Sequence, residues 1–200
     1  MWAGVWVRHF NVPDIREVPG GLLIASNHQS FLDPVLVGMA LDRPVSYLAR
    51  RDLFDIPGLG ALIGALGTHP VTREAVDAGA VRTVLRLLRS GEPVLMFPEG
   101  TRTPDGELGV FRTGAAAIAI RCGVPVVPVC IEGAYGCWPR TRRLPRPGRV
   151  AVAFGPYLEP HGATAEELTA RLRAEIQQLR ESLRRYLGRA AGQRTRQGRN

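Results

Sequence analysis

LLIASNHQSFLDPVLVGMAL, residues 22–41, decides how the rest of the chain is read. Leu22 to Ala25 is a short apolar run bounded by polar residues, which predicts a buried strand. Ser26, Asn27 and His28 follow it directly. Asp33-Pro34 then offers an N-cap followed by a proline suited to the first helical turn, and Val35 to Leu41 has helical spacing. Strand, polar turn and helix form the repeating unit of an α/β layer.

The unit recurs along the chain. Val45 to Ala49, Val94 to Phe97, Val126 to Ile131 and Val150 to Phe154 predict strands, with a weaker one at His69 to Thr72. Glu74 to Arg89, Thr113 to Cys122 and Ala165 to Leu187 predict helices. Gly91 and Gly123 sit where helices end in a left-handed residue. Thr164 with Glu167 makes a capping box. Leu168, Leu172, Ile176, Leu179, Leu183 and Leu187 form one apolar stripe on the last helix. Two prolines in Val124-Pro125-Val126-Val127-Pro128-Val129 predict an edge or bulged strand, because proline gives no donor to a ladder. The expected fold is α/β, a single layered domain with a central, mostly parallel sheet covered by helices.

Two hundred residues, 45% hydrophobic and 22% charged, suit one globular domain and exclude disorder. The net charge of +8 comes from 26 basic residues, every one an arginine, and points to an anionic partner. No unbroken apolar run of about 18 residues predicts a membrane span. Met1 to Phe10 is too short and too interrupted by Arg8 and His9 for a secretory signal. Trp2, Val5, Trp6 and Phe10 give at most a short interfacial segment. Three cysteines (Cys122, Cys130, Cys137) without a CxxC pair read as reduced thiols, with neither a disulfide frame nor a metal site. No element of a known nucleic-acid reader is visible, so nucleic acid is not expected as a partner.

Four stretches carry possible chemistry. In Asn27-His28-Gln29-Ser30-Phe31-Leu32-Asp33, a carboxylate five residues after a histidine can fix its tautomer and leave the other nitrogen as a base. The same residues also read as an ordinary turn and N-cap. Phe97-Pro98-Glu99-Gly100-Thr101-Arg102 offers amides, a hydroxyl and a guanidinium for a phosphate. It also reads as a turn with a surface ion pair. Arg112, before the helix at Thr113, adds a cation to a positive helix end. Trp138-Pro139-Arg140-Thr141-Arg142-Arg143, continuing to Arg149, is a solvated linker or a contact for anionic headgroups or an acidic carrier.

Together these stretches resemble the lysophospholipid acyltransferase family. Asn27, His28 and Asp33 match its NHxxxxD motif, and Phe97 to Arg102 match FPEGTR without change. Gly67 and Arg73 match its looser GxxxxxR motif, and Val124 to Val129 its proline-containing apolar motif. The resemblance runs from about Leu22 to Phe154. Thr68-His69-Pro70 departs from the apolar residues usual in the second motif.

The resemblance implies an acyltransferase domain, taken over 1–188; the Arg-rich, apolar-poor composition after it predicts a flexible tail, 189–200. The resemblance also implies transfer of a fatty acyl group from a thioester to a lysophospholipid hydroxyl, foremost that of lysophosphatidic acid. His28 and Asp33 would be catalytic. Asn27, Arg73, Glu99, Gly100, Thr101 and Arg102 would bind substrate, with Arg112 added from the helix argument. The donor would be acyl-coenzyme A or an acyl carrier protein thioester, with no resident cofactor. The expected location is cytoplasmic, peripheral on an anionic membrane surface. The alternative is an acyltransferase for another lipid acceptor, or a thioester hydrolase using the same His-Asp pair.

Overall fold

The computed structural model describes residues 4–50, 68–71 and 78–197. Its strands are β1 (Val5–Phe10), β2 (Leu22–Ser26), β3 (Ser46–Arg50), β4 (Thr68–Val71), β5 (Pro93–Met96), β6 (Val126–Glu132) and β7 (Gly148–Phe154). Its helices are α1 (Asp33–Gly38), α2 (Ala78–Arg89), α3 (Gly114–Cys122), α4 (Ala134–Cys137) and α5 (Ala165–Gln197). Among the described residues one sheet forms, in the order β1-β7-β6-β2-β5-β3-β4. Every neighbouring pair is parallel except β6 with β7.

Side-chain alternation divides the core between the two faces of this sheet. Leu23 and Ala25 of β2 face Leu87, Ala119 and Leu172, from α2, α3 and α5. Leu22 and Ile24 face the other way, towards Ile15, Leu36 and Val37. Both faces are covered, which is why β2 and β6 read as continuous apolar runs. The stripe on α5 packs as its spacing predicts, with Leu168, Leu172, Ile176 and Leu183 buried. Thr164 and Glu167 exchange the two bonds of a capping box, and Gly91 and Gly123 take left-handed φ.

Four local expectations are corrected. Val5 to Phe10, for which no regular element was expected, is an edge strand beside β7; Trp2 lies outside the described residues. Val5 is buried, and Phe10 meets the Tyr186 ring edge-on at 4.9 Å. The first helix begins at Asp33, whose carboxylate turns back to the preceding loop instead of capping. The two-proline strand β6 lies inside the sheet, not at its edge. Val126 N donates to Leu158 O, so two residues on the Pro128 nitrogen faces the same side. There the ladder is bulged: three residue steps, Val129 to Val126, oppose four, Phe154 to Leu158. Finally, α5 runs through Gly188 to Gln197, beyond the expected helix end at Leu187. A glycine costs a helix only about 1 kcal/mol, which good helix formers on both sides offset. Arg149 also donates to Ala190 O at 2.8 Å.

Candidate active site

Strands β2, β5 and β6 run in one direction, and the loops leaving their C-terminal ends meet. The loop after β2 carries His28. Asp33 Oδ2 accepts the Gln29 amide (2.6 Å) and the Ser30 amide (2.7 Å), so this oxygen acts as an acceptor. His28 Nδ1 therefore donates to the same oxygen, at 2.7 Å. That leaves the Nε2 lone pair outward, with no hydrogen bond to a described residue. The His28 side chain is 18% exposed and the Asp33 side chain 0%. The imidazole stacks on Phe97, centroids 3.9 Å apart and planes 13° apart, which favours an imidazolium when one forms.

The loop after β5 is laid against this pair by its own carboxylate. Glu99 Oε1 accepts His28 N at 3.0 Å, and Oε2 accepts Gly109 N at 3.1 Å. A Cβ on Gly109 would come within 2.8 Å of that oxygen, so a side chain there would push the carboxylate from this position. Burial pushes the Glu99 carboxyl up, against the two amides that pull it down. Thr103 N closes the contact by donating to His28 O at 2.8 Å. Between these anchors, Gly100 and Thr101 are exposed, and Gly100 has φ +71°. Arg102 places Cζ 3.5 Å from the centroid of the Phe31 ring. The Arg112 guanidinium lies against Gly100, where a Cβ would stand 3.5 Å from its Cζ. Two guanidinium groups thus flank one exposed turn beside the His28 imidazole.

The expected site residues divide accordingly. His28, Asp33, Gly100, Thr101, Arg102 and Arg112 gather at this end of the sheet. Glu99 belongs to the support, because both its oxygens are engaged by backbone amides. Asn27, expected to contact substrate, is likewise engaged by backbone. It is buried, Nδ2 donates to Ile131 O at 2.9 Å, and Oδ1 accepts Ile131 N at 2.8 Å. This extends the β2–β6 pairing beyond the strand. Arg73 and Gly67 lie outside the described residues. Ser30 is buried and donates to Trp138 O, which suits a structural hydroxyl better than a nucleophile.

Gln29, Glu132 and Arg180 escaped the sequence reading. Arg180 is 3% exposed and contacts Gly106 O, Glu107 and Glu132. The available signal was an arginine four residues after Ile176, on the apolar stripe.

Residues 9–132 match the family model described as Acyltransferase. The chloroplastic 1-acyl-sn-glycerol-3-phosphate acyltransferase LPAT1 of Arabidopsis thaliana is 30% identical over 185 residues, 88% of this chain and 51% of that protein. The 1-acyl-sn-glycerol-3-phosphate acyltransferase of Pseudomonas aeruginosa is 30% identical over 80% of this chain and 62% of its own. Among solved structures, the 1-acyl-sn-glycerophosphate (LPA) acyltransferase PlsC from Thermotoga maritima superposes with a TM-score of 0.74. It is 30% identical, covering 92% of this chain and 73% of that one. The chain spans about half the length of the first of these curated relatives.

Proposed function

Because the chain belongs to the acyltransferase family, we propose that it moves a fatty acyl group from a thioester to the hydroxyl of a lysophospholipid. The acceptor we favour is 1-acyl-sn-glycerol-3-phosphate, which would become phosphatidic acid. The donor is acyl-coenzyme A or an acyl carrier protein thioester. The observation that carries the reading is the His28–Asp33 pair at 2.7 Å, bonded through the His28 backbone to the loop that carries Arg102 and an exposed turn against which Arg112 lies.

In this reaction the acceptor oxygen attacks the thioester carbonyl while His28 Nε2 takes its proton. Asp33 and the Phe97 face stabilise the imidazolium. The C–S bond then breaks, and the imidazolium returns its proton to the leaving thiolate. Arg102, Arg112 and Arg73 hold the acceptor phosphate, with the Gly100 amide and Thr101 hydroxyl beside it. Glu99 and Asn27 keep the two loops in register. A hydrolase would use the same pair with water, which needs no phosphate-binding turn.

Replacing Arg102 or Arg112 by Ala should raise the acceptor KM by roughly 10- to 100-fold, the equivalent of one charge-assisted contact. The donor KM should change by less than about threefold. Initial rates over lysophosphatidic acid, glycerol 3-phosphate and a lyso-aminolipid, with one labelled acyl thioester, test the acceptor assignment. Lysophosphatidic acid should be acylated fastest; free fatty acid as the sole product would favour the hydrolase.

We place the protein peripherally on the cytoplasmic face of an anionic membrane. No helix among the described residues is long and apolar enough to cross one. Residues 133–158 hold five arginines and no acid. Strand β7 starts at the end of the sheet where β6 stops, so the loop before it lies at the His28 end. Arg140, Arg143 and Arg146 are exposed there, with Leu144 at 74% and Trp6, opposite Arg149, at 58%. Each arginine near anionic lipid contributes about 1 kcal/mol, screened by salt. Arg140, Arg143 and Arg146 changed together to Ser should therefore weaken co-sedimentation with anionic vesicles. Arg142 is left intact because it props Gly136 O. Equal binding to neutral and anionic vesicles, unmoved by salt, would rule out charge as the anchor.

A further inference from the structure

We infer that Arg180, from the C-terminal helix, is a positioning residue for the catalytic histidine, acting through the Gly106 carbonyl and the Gln29 side chain. The inference rests on His28 being the base of acyl transfer.

A buried guanidinium is costly unless every face of it is paired. Arg180 meets that condition. Its Nε donates to Glu132 at 2.9 Å, Nη1 to Glu107 at 2.8 Å, and Nη2 to the Gly106 carbonyl at 2.6 Å. The two carboxylates neutralise it, and Arg184 joins them from the next turn, bonding Glu107 at 2.6 Å. The third contact reaches the active-site loops. The Gly106 carbonyl also accepts Gln29 Nε2 at 3.1 Å. Gln29 adjoins His28, is 1% exposed, and accepts the Tyr135 amide on Oε1 at 3.3 Å. Its own backbone amide is one of the three donors on Asp33 Oδ2. On the other flank, Gly106 N donates to Thr103 Oγ1 at 3.1 Å, and Thr103 N donates to His28 O at 2.8 Å.

One residue, Gly106, held by one arginine, therefore contacts both flanks of His28 through its carbonyl and its amide: the side chain after it and, by way of Thr103, the carbonyl it presents. Arg180, more than 150 residues after His28 in sequence, reaches Gln29, the residue next to the base, through two hydrogen bonds that share the Gly106 carbonyl. Loss of Nη2 would let the 103–107 loop and Gln29 relax together, and a displacement of about 1 Å at a catalytic group can cost about 10²-fold.

The test uses the full chain with lysophosphatidic acid and a labelled acyl thioester. Arg180→Met keeps the length and apolar stem of the side chain, and Gln29→Met cuts only the second link. Each should lower kcat by about 10- to 100-fold, with donor and acceptor KM within about twofold of the unchanged protein. The double variant should be no slower than the slower single, because both act through one carbonyl. Arg180→Lys, which keeps one donor and the charge, should recover part of kcat. Arg184→Ala removes ion pairs from the same cluster without touching Gly106, and should leave kcat within about twofold.

If Arg180→Met fails to fold, Gln29→Met decides alone, since it leaves the ion pairs of α5 intact. Variants that lower the melting temperature while kcat stays unchanged would overturn the inference, as would single losses that multiply in the double variant. An unchanged protein that makes no phosphatidic acid would instead sink the functional reading itself.

Discussion

His28→Ala should lower kcat by about 10²–10⁴-fold while the fold is retained, the usual worth of a positioned general base. The ring is the part of the site that the fold needs least. It is held by Asp33 on one nitrogen and by Phe97 on one face, and its second nitrogen bonds no described residue. The contacts that knit the loops together, to Glu99 and to Thr103, are made by the His28 backbone and survive the substitution. Donor and acceptor KM should therefore move little. Steady-state kinetics with circular dichroism checks this; a variant keeping most of its turnover would end the general-base mechanism.

Asp33→Asn should lower kcat by roughly 10³-fold. All three donors converge on Oδ2, and the buried Oδ1 bonds no described residue. An asparagine can set its oxygen at the first position and its amide nitrogen at the second. It then keeps the loop and the imidazole tautomer, and loses only the negative charge. Two unit charges about 4 Å apart at an effective dielectric near 20 interact by about 4 kcal/mol, which is about 10³-fold in rate. The amide nitrogen left buried without an acceptor should cost about 1–3 kcal/mol of stability. A denaturation curve and kcat on the same sample separate the two effects. A loss of stability with kcat unchanged would mean that the charge plays no part in the reaction.

The layers of the fold were legible because short-range pattern carries them. Leu22 to Ala25, Val126 to Ile131 and the stripe from Leu168 to Leu187 are runs whose burial follows from spacing alone. Edges and irregularities were not. Val5-Trp6-Val7-Arg8-His9-Phe10 becomes a strand only because β7 supplies a partner more than 140 residues later. Pro128 is tolerated inside the sheet only because the chain after Phe154 bulges opposite it. At the site, the nearness of His28 to Asp33 could be read from a five-residue spacing. The split between groups facing the crevice and groups supporting it could not. Asn27 and Glu99 sit in the same short motifs as His28 and Arg102, yet spend their polar atoms on Ile131, His28 and Gly109 backbone. Such division depends on which way each side chain leaves its loop, which only long-range contacts determine.

The central claim is that His28 activates the acceptor hydroxyl for direct attack on the thioester, with no acyl group resting on the protein. A quench experiment tests it most directly. The protein is mixed with an acyl-labelled thioester alone, quenched in acid at intervals, and counted; lysophosphatidic acid is then added to a parallel sample. The account predicts no label retained on the protein, and phosphatidic acid formed in step with thiol release once the acceptor is present. Label bound covalently to the protein and chased into phosphatidic acid would contradict it.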